Sequence, residues 1–315
     1  MFRLLPALLM VFLLPLAHAA DDEVTVPMKA VRLGQHSYFV QGLSGAASSE
    51  NQGFMSNAGF VVTREGVVVF DALASPPLAK KLISLIREIT DQPISHVIVS
   101  HYHADHFYGL QEFKALGATI WAHRLAEGQT RSEDAALRLQ QRKEALFPWV
   151  DEKTRLLEAD HFIGGDIDFV VGGVHFALRH VGPAHSAEDL AMMVKEDGVL
   201  YAGDLVFRGR VPFVGDADSR SWIAALDKLI ALEPKVLVPG HGPASRDARA
   251  DLVFTRDYLV FLREQMGRAV RDFVPFDEAY EKTDWSKYRA MPAFNEANRV
   301  NAYNQYLRLE QEMVE

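Results

Sequence analysis

The chain has 315 residues, 49% of them hydrophobic, no cysteine and a formal net charge of −9. Lack of cysteine excludes disulfides, thiolate metal ligands and a cysteine nucleophile together. The acidic balance argues against nucleic acid as a partner, because phosphate binding needs a basic surface, and the length supports one large α/β domain or a domain with an appendage.

Met1-Phe2-Arg3 is followed by an apolar run from Leu4 to Ala17, and Ala17-His18-Ala19 stands before Ala20. One positive charge, an apolar stretch and a small-x-small site follow the order of a secretory signal peptide, here residues 1–19. The run is shorter than the roughly 20 apolar residues that cross a bilayer, and no cysteine stands at the cleavage site to carry a lipid. The expectation is a periplasmic or secreted protein with no stable membrane anchor once the leader is removed.

Gly42 to Asn57, rich in glycine and serine with Phe54 and Met55 near its end, reads as a mobile loop. From Gly59 to Asp71 two apolar strands flank a charged turn at Gly66, where a hairpin needs a permissive backbone. Ser75-Pro76 then starts a helix, a capping residue followed by proline at the first helical position. Its apolar face is Leu78, Leu82, Leu85, Ile86 and Ile89. The short apolar strand Val97 to Val99 delivers His101, and Leu125 to Leu146 predicts a helix between two halves of the chain.

The second half repeats the first. Leu190 to Asp204 is another hairpin with Gly198 at its turn; Trp222, Leu226, Leu229 and Ile230 form a helix face; and Val236 to Val238 delivers His241. Strands made only of Val, Ile and Leu imply burial on both faces. The predicted architecture is α/β, two sheet-and-helix halves packed face to face as a four-layer αβ/βα sandwich over residues 20–245. Residues 246–315 predict a helical extension packed on that domain, interrupted at Pro275 and Pro292.

The densest chemical signal is His101-Tyr102-His103-Ala104-Asp105-His106, directly after an apolar strand. Residues two apart at a strand end project to the same side, so His101 and His103 can grip one cation. Asp105 and His106 lie further on, where the chain turns toward a second. Other turns, marked by glycine or proline, offer further donors: His185 after Gly182-Pro183, Asp204 after Gly203, and His241 between Gly240 and Gly242. Imidazole and carboxylate without thiolate suit zinc, with manganese or iron tolerated.

His-x-His-x-Asp-His followed in order by His185, Asp204 and His241 resembles the metallo-β-lactamase superfamily, from about Lys29 to Gly242. The resemblance implies that fold, with two zinc ions. One ion would be held by His101, His103 and His185, the other by Asp105, His106 and His241, with Asp204 bridging. An acidic bridge is similar to the glyoxalase II and lactonase branches. It departs from β-lactamases with cysteine at the corresponding strand end, and from those without the bridging aspartate, which bears against β-lactam hydrolysis. Asn57-Ala58-Gly59-Phe60 and Asp204-Leu205-Val206-Phe207 also resemble exported hydrolases that accompany sulfur-oxidation and quinoprotein systems.

The expected activity is hydrolysis of an ester, thioester, lactone or amide bond, β-lactams among them, in a small-molecule substrate. The nucleophile is a hydroxide held between two ions, and Asp105 doubles as a catalytic proton acceptor. A mononuclear iron oxidoreductase of the persulfide dioxygenase type is the first rival, and a non-catalytic metal-binding protein of a periplasmic redox system the second. Asp71, at the end of the first hairpin, reads as a carboxylate that orients a ligand or a loop amide. Arg208 and Arg210 are candidates to hold a substrate carboxylate, and Phe107 and Tyr108 to line the mouth. His96, His123, His161, His175 and His180 read as strand or surface histidines, because the ligand set is complete without them.

Overall fold

A computed structural model describes residues 23–215 and 217–314; the expected signal peptide lies outside this range. Twelve strands form two sheets among the described residues. The first sheet runs β1 (Ala30–Arg32), β2 (Ser37–Val40), β3 (Ala58–Thr63), β4 (Gly66–Phe70), β5 (Ile94–Ile98), β6 (Thr119–His123) and β7 (His161–Ile163), in that order. Its first four strands are antiparallel, while β4 to β7 pair in parallel, each joined to the next across the sheet's outer face. The second sheet has the order β12 (Val236–Val238), β11 (Val199–Tyr201), β10 (Leu190–Val194), β9 (Val174–His180) and β8 (Ile167–Val171).

The all-apolar strands serve two cores at once. Along β4, Val67 and Val69 point to the outer face of the first sheet while Val68 and Phe70 point between the sheets. Along β11 and its exit, Leu200 and Ala202 face outward while Val199 and Tyr201 face inward. Side chains alternate across a strand, so a strand buried on both faces needs no polar position. The inner layer joins Phe70, Ile98, Phe176, Leu178 and Met192 from the two sheets.

Outside the first sheet lie α1 (Pro76–Ile89), the short α2 (Ala104–Phe107) and α3 (Leu110–Ala115). Ser75 caps α1 by accepting from the Leu78 amide, and Leu78, Leu82 and Ile86 are its buried stripe. Outside the second sheet, α5 (Ser219–Ile230) packs Trp222, Leu226 and Leu229 inward, capped by Asp218. The helices α6 (Ala248–Arg271), α7 (Phe276–Lys282) and α8 (Arg299–Val314) lie over it, and Leu252, Leu259 and Tyr306 join the same apolar cluster as Trp222. The layers are helix, sheet, sheet, helix, with the C-terminal helices thickening the last.

Two expectations are corrected. The region Leu125 to Leu146 is not one helix. Two 3-10 turns, Arg124–Ala126 and Gln129–Arg131, precede α4 (Glu133–Leu146), because Gly128 adopts a left-handed φ of 83° and Ser132 caps the new start. The Gly42 to Asn57 segment is tied down over its second half. Phe54 is buried in the first core, Asn51 Nδ2 donates to Ala46 O, and Gln52 Oε1 accepts from the Thr25 and Val26 amides. Glycine and serine marked the turns correctly but not the anchors.

Candidate metal centre

Every predicted donor sits at the end of a strand or in the loop after it, on the same edge of the two sheets. β5 ends two residues before Ser100, and His103 opens α2, which carries Asp105 and His106. His185 lies between β9 and β10, Asp204 in the 3-10 turn Gly203–Leu205 after β11, and His241 three residues beyond β12. Gly203 needs its positive φ of 53° to make that turn, and a Cβ on Gly240 would collide with Asp204 Oδ1. Close approach of two loop backbones is what brings Asp204 and His241 together.

The donor atoms form two groups, His101, His103, His185 and Asp204 in one and Asp105, His106 and His241 in the other, each within 4.8 Å across. In the first, His103 Nδ1 lies 3.0 Å from both His101 Nε2 and His185 Nε2. In the second, Asp105 Oδ2 is 3.3 Å from His241 Nε2 and 3.6 Å from His106 Nε2. Asp204 faces both: Oδ1 is 3.2 Å from His106 Nε2 and 3.3 Å from His241 Nε2, and Oδ2 is 3.4 Å from His185 Nε2.

The outer nitrogens of His101, His106 and His241 are tethered, which decides the direction those imidazoles point. His106 Nδ1 is 2.8 Å from Asp71 Oδ2, His241 Nδ1 is 2.8 Å from Met55 O, and His101 Nδ1 is 2.9 Å from Ser100 Oγ. Asp71 also accepts from the Ser100 amide at 2.7 Å and hydroxyl at 2.8 Å. One carboxylate thus orients a histidine and the loop leaving β5, from a backbone φ of 66°. His241 stacks flat on Phe207 with centroids 5.2 Å apart.

Burial leaves a deficit that a cation would repair. His106 Nε2 and Asp204 Oδ1 are buried without a hydrogen-bond partner, a costly state for polar atoms. Burial, reinforced by neighbouring histidines, holds His101 well below the ordinary imidazole range and brings His185 down to about 4, so both offer lone pairs. Burial alone would do the same to His241, but Asp204 and Asp105 outweigh it and raise it to about 9. Inward-facing nitrogens of five imidazoles, two carboxylates and no thiolate are a donor set that fits zinc and other borderline divalent ions.

Other predicted residues are placed differently. Tyr108 is 1% exposed and lines a neighbouring cavity with Tyr102 and Gln129 rather than the one above the donors. Arg208 pairs with Asp251 of α6 at 3.0 Å. Arg210 is half-buried, its guanidinium carbon 4.6 Å from the Phe213 ring centroid, and it does not line the cavity. The arginines that do are Arg138 and Arg142 of α4, which the sequence did not single out because the helix has no link in the chain to any donor. Asn57 carries no signal in the sequence beyond its family likeness. Its side chain donates to Pro239 O at 2.7 Å and Gly242 O at 2.8 Å, clamping the loop that carries His241.

A His/Asp cluster able to hold metal on the shared edge of two packed sheets, with helices outside, defines the class as an αβ/βα metal-binding sandwich. The chain belongs to the metallo-β-lactamase superfamily, whose family model matches residues 51–241. It is 25% identical over 254 residues to the linear primary-alkylsulfatase of Pseudomonas sp. (strain ATCC 19151), covering 69% of this chain and 48% of that protein. It is also 25% identical over 193 residues to the metallo-β-lactamase type 2 of Elizabethkingia meningoseptica, covering 60% and 69%. Among solved structures, the metallo-β-lactamase from Pontibacter korlensis superposes with a TM-score of 0.60 at 20% identity, over 74% of this chain and 99% of that one. The sec-alkylsulfatase Pisa1 from Pseudomonas sp. gives 0.68 at 17% identity over 89% and 50%. These two superpositions show the fold. The chain spans about half the length of the alkylsulfatases it matches.

Proposed function

We propose that the protein is a two-metal hydrolase, zinc being the ion its donors favour, that cleaves an ester, thioester, lactone or amide bond in a small molecule. The observation that carries this reading is Asp204, whose two oxygens face separate clusters of histidines. A single-ion site would need only one of those clusters. Bound divalent ions would supply Lewis acidity and lower the pKa of water from near 15.7 toward about 7.

The protein's own part is positional. His101, His103 and His185 would hold one ion and Asp105, His106 and His241 the other, with the Asp204 carboxylate standing between the two clusters. Asp105, which lines the cavity, would also accept a proton from the attacking water. Phe207 and Phe213 keep one side of the cavity apolar, which strengthens electrostatic interactions inside it.

A second reading is favoured by the alkylsulfatase likenesses: the bond cleaved is a sulfate ester. Both readings share the ions and differ in the electrophile. Metal analysis is expected to find about two ions per chain, as a two-metal site requires. His103→Ala is expected to abolish turnover across a panel of carboxylic esters, thioesters, lactones, β-lactams and alkyl sulfates while leaving the circular dichroism spectrum in place. Undiminished turnover in that variant would overturn the mechanism, and the hydrolysed member of the panel chooses between the readings. We further propose export across a membrane on the strength of the N-terminal charge and apolar run; the mature protein is then expected to begin at Ala20 by N-terminal sequencing.

A further inference from the structure

The geometry points to Arg138 and Arg142 as an anion clamp of the metal cavity, selecting substrates that carry a negative charge on an apolar body. This rests on the two-metal reading above. Both side chains come from α4 and both line the cavity of about 490 Å³ that His103, Asp105 and His185 also line. Residues four apart share a helix face, and like charges there repel. Neither arginine makes an ion pair or hydrogen bond with any described residue. Lys143 on the same helix is paired, 2.7 Å from Glu152.

Shortage of acids is not the reason. The chain has 42 acidic residues against 33 lysines and arginines, and Asp134, one turn before Arg138, is left unpaired with it. Asp105 and Asp204 of the same cavity would balance the arginines only while the metals are away. Two divalent cations bring four positive charges against those two negative ones, so the loaded centre is itself cationic. Two guanidinium groups facing a cationic centre across a cavity call for an anion between them, and the planar fork of arginine suits a carboxylate or sulfate. Met55, Phe213 and Val214 on the cavity wall offer an apolar surface for the rest of the molecule.

The test uses the zinc-loaded full-length protein. Calorimetric titration with hexanesulfonate, hexanoate and hexanol is expected to show binding of one or both anions, weakened about tenfold or more in the Arg138→Gln/Arg142→Gln double variant, with Arg138→Lys/Arg142→Lys in between. Which anion binds more tightly separates a sulfate site from a carboxylate site. With paired substrates, the 4-nitrophenyl monoester of adipic acid and 4-nitrophenyl hexanoate, the ratio of their kcat/KM values is expected to fall about tenfold in the double glutamine variant. Anion affinity within twofold of the parent in that variant, or equal loss for both esters, would overturn the clamp. Failure of the loaded parent to hydrolyse either ester would count against the hydrolase reading instead, and the calorimetry would still decide on the arginines.

Discussion

At the scale of single residues, the centre depends less on which side chains are present than on which ring nitrogen each histidine turns inward. His103 presents Nδ1 while His101, His106, His185 and His241 present Nε2, and for His101, His106 and His241 the choice is made by a partner on the far side of the ring. Asp71 is the most connected of these, serving His106 and both donors of Ser100. Its positive φ argues for Asn rather than Ala as the probe, because Asn tolerates the left-handed region and keeps the shape. Asp71→Asn is expected to weaken zinc binding about 10- to 100-fold in competition with a chelator. Unchanged affinity would reduce Asp71 to a cap of the turn. The same scale shows why Arg208 and Tyr108 misled: adjacency in sequence to a metal ligand does not set the direction of a long side chain, and Arg208 turned to Asp251 instead.

At the scale of elements, the two sheets meet through contacts that leave no slack. Gly59 on β3 lies against the Tyr201 ring of β11, and a Cβ there would collide with it. Tyr201 Oη in turn donates to Tyr38 O at 2.9 Å, so the ring has little room to retreat. Gly59→Ala is expected to cost about 1 to 3 kcal/mol of unfolding free energy by overpacking, measured by denaturant titration; a loss below the error of that titration would show that the sheets slide apart freely.

The end of β6 gives a pH-dependent term. His123 stacks on His180 with centroids 3.6 Å apart. Burial, then the neighbouring His180 and Arg124, push the His123 imidazole down from 6.5 to about 4. The folded protein therefore holds that proton less tightly than the unfolded chain, and stability is lost as pH falls from about 6.5 toward 4. His180→Asn removes one of the opposing neighbours, so the drop in Tm between pH about 7.5 and 5 is expected to be smaller than in the parent. Parallel losses in both proteins would exclude His123 as the titrating element.

At the scale of the whole molecule, the C-terminal helices complete the outer face of the second sheet. Trp222 of α5 shares its cluster with Leu252, Leu259 and Leu262 of α6, and its ring also lies 5.5 Å from that of His185. Removal of residues 246–315 is expected to leave a chain that does not fold or hold metal, because it would expose the outer face of α5. A soluble truncated protein with native ellipticity and metal content would show the tail to be separable.

What the sequence by itself determined was local and periodic. Apolar runs of strand length, glycines at the two hairpin turns, the Ser75-Pro76 helix start and the repeated hairpin, helix and strand gave the two halves, because those signals are carried by neighbours along the chain. The seven donors were legible for a related reason: a loop that must deliver a ligand is short, glycine-marked and joined to a buried strand. Tertiary structure alone decided what faces the donors and what backs them. Arg138 and Arg142 reach the cavity from a helix remote in sequence, Asn57 clamps the His241 loop across more than 180 residues, and α6 lands on α5. Such pairings follow from packing the two halves and the tail together, and no local pattern in the chain specifies which distant surface each will meet.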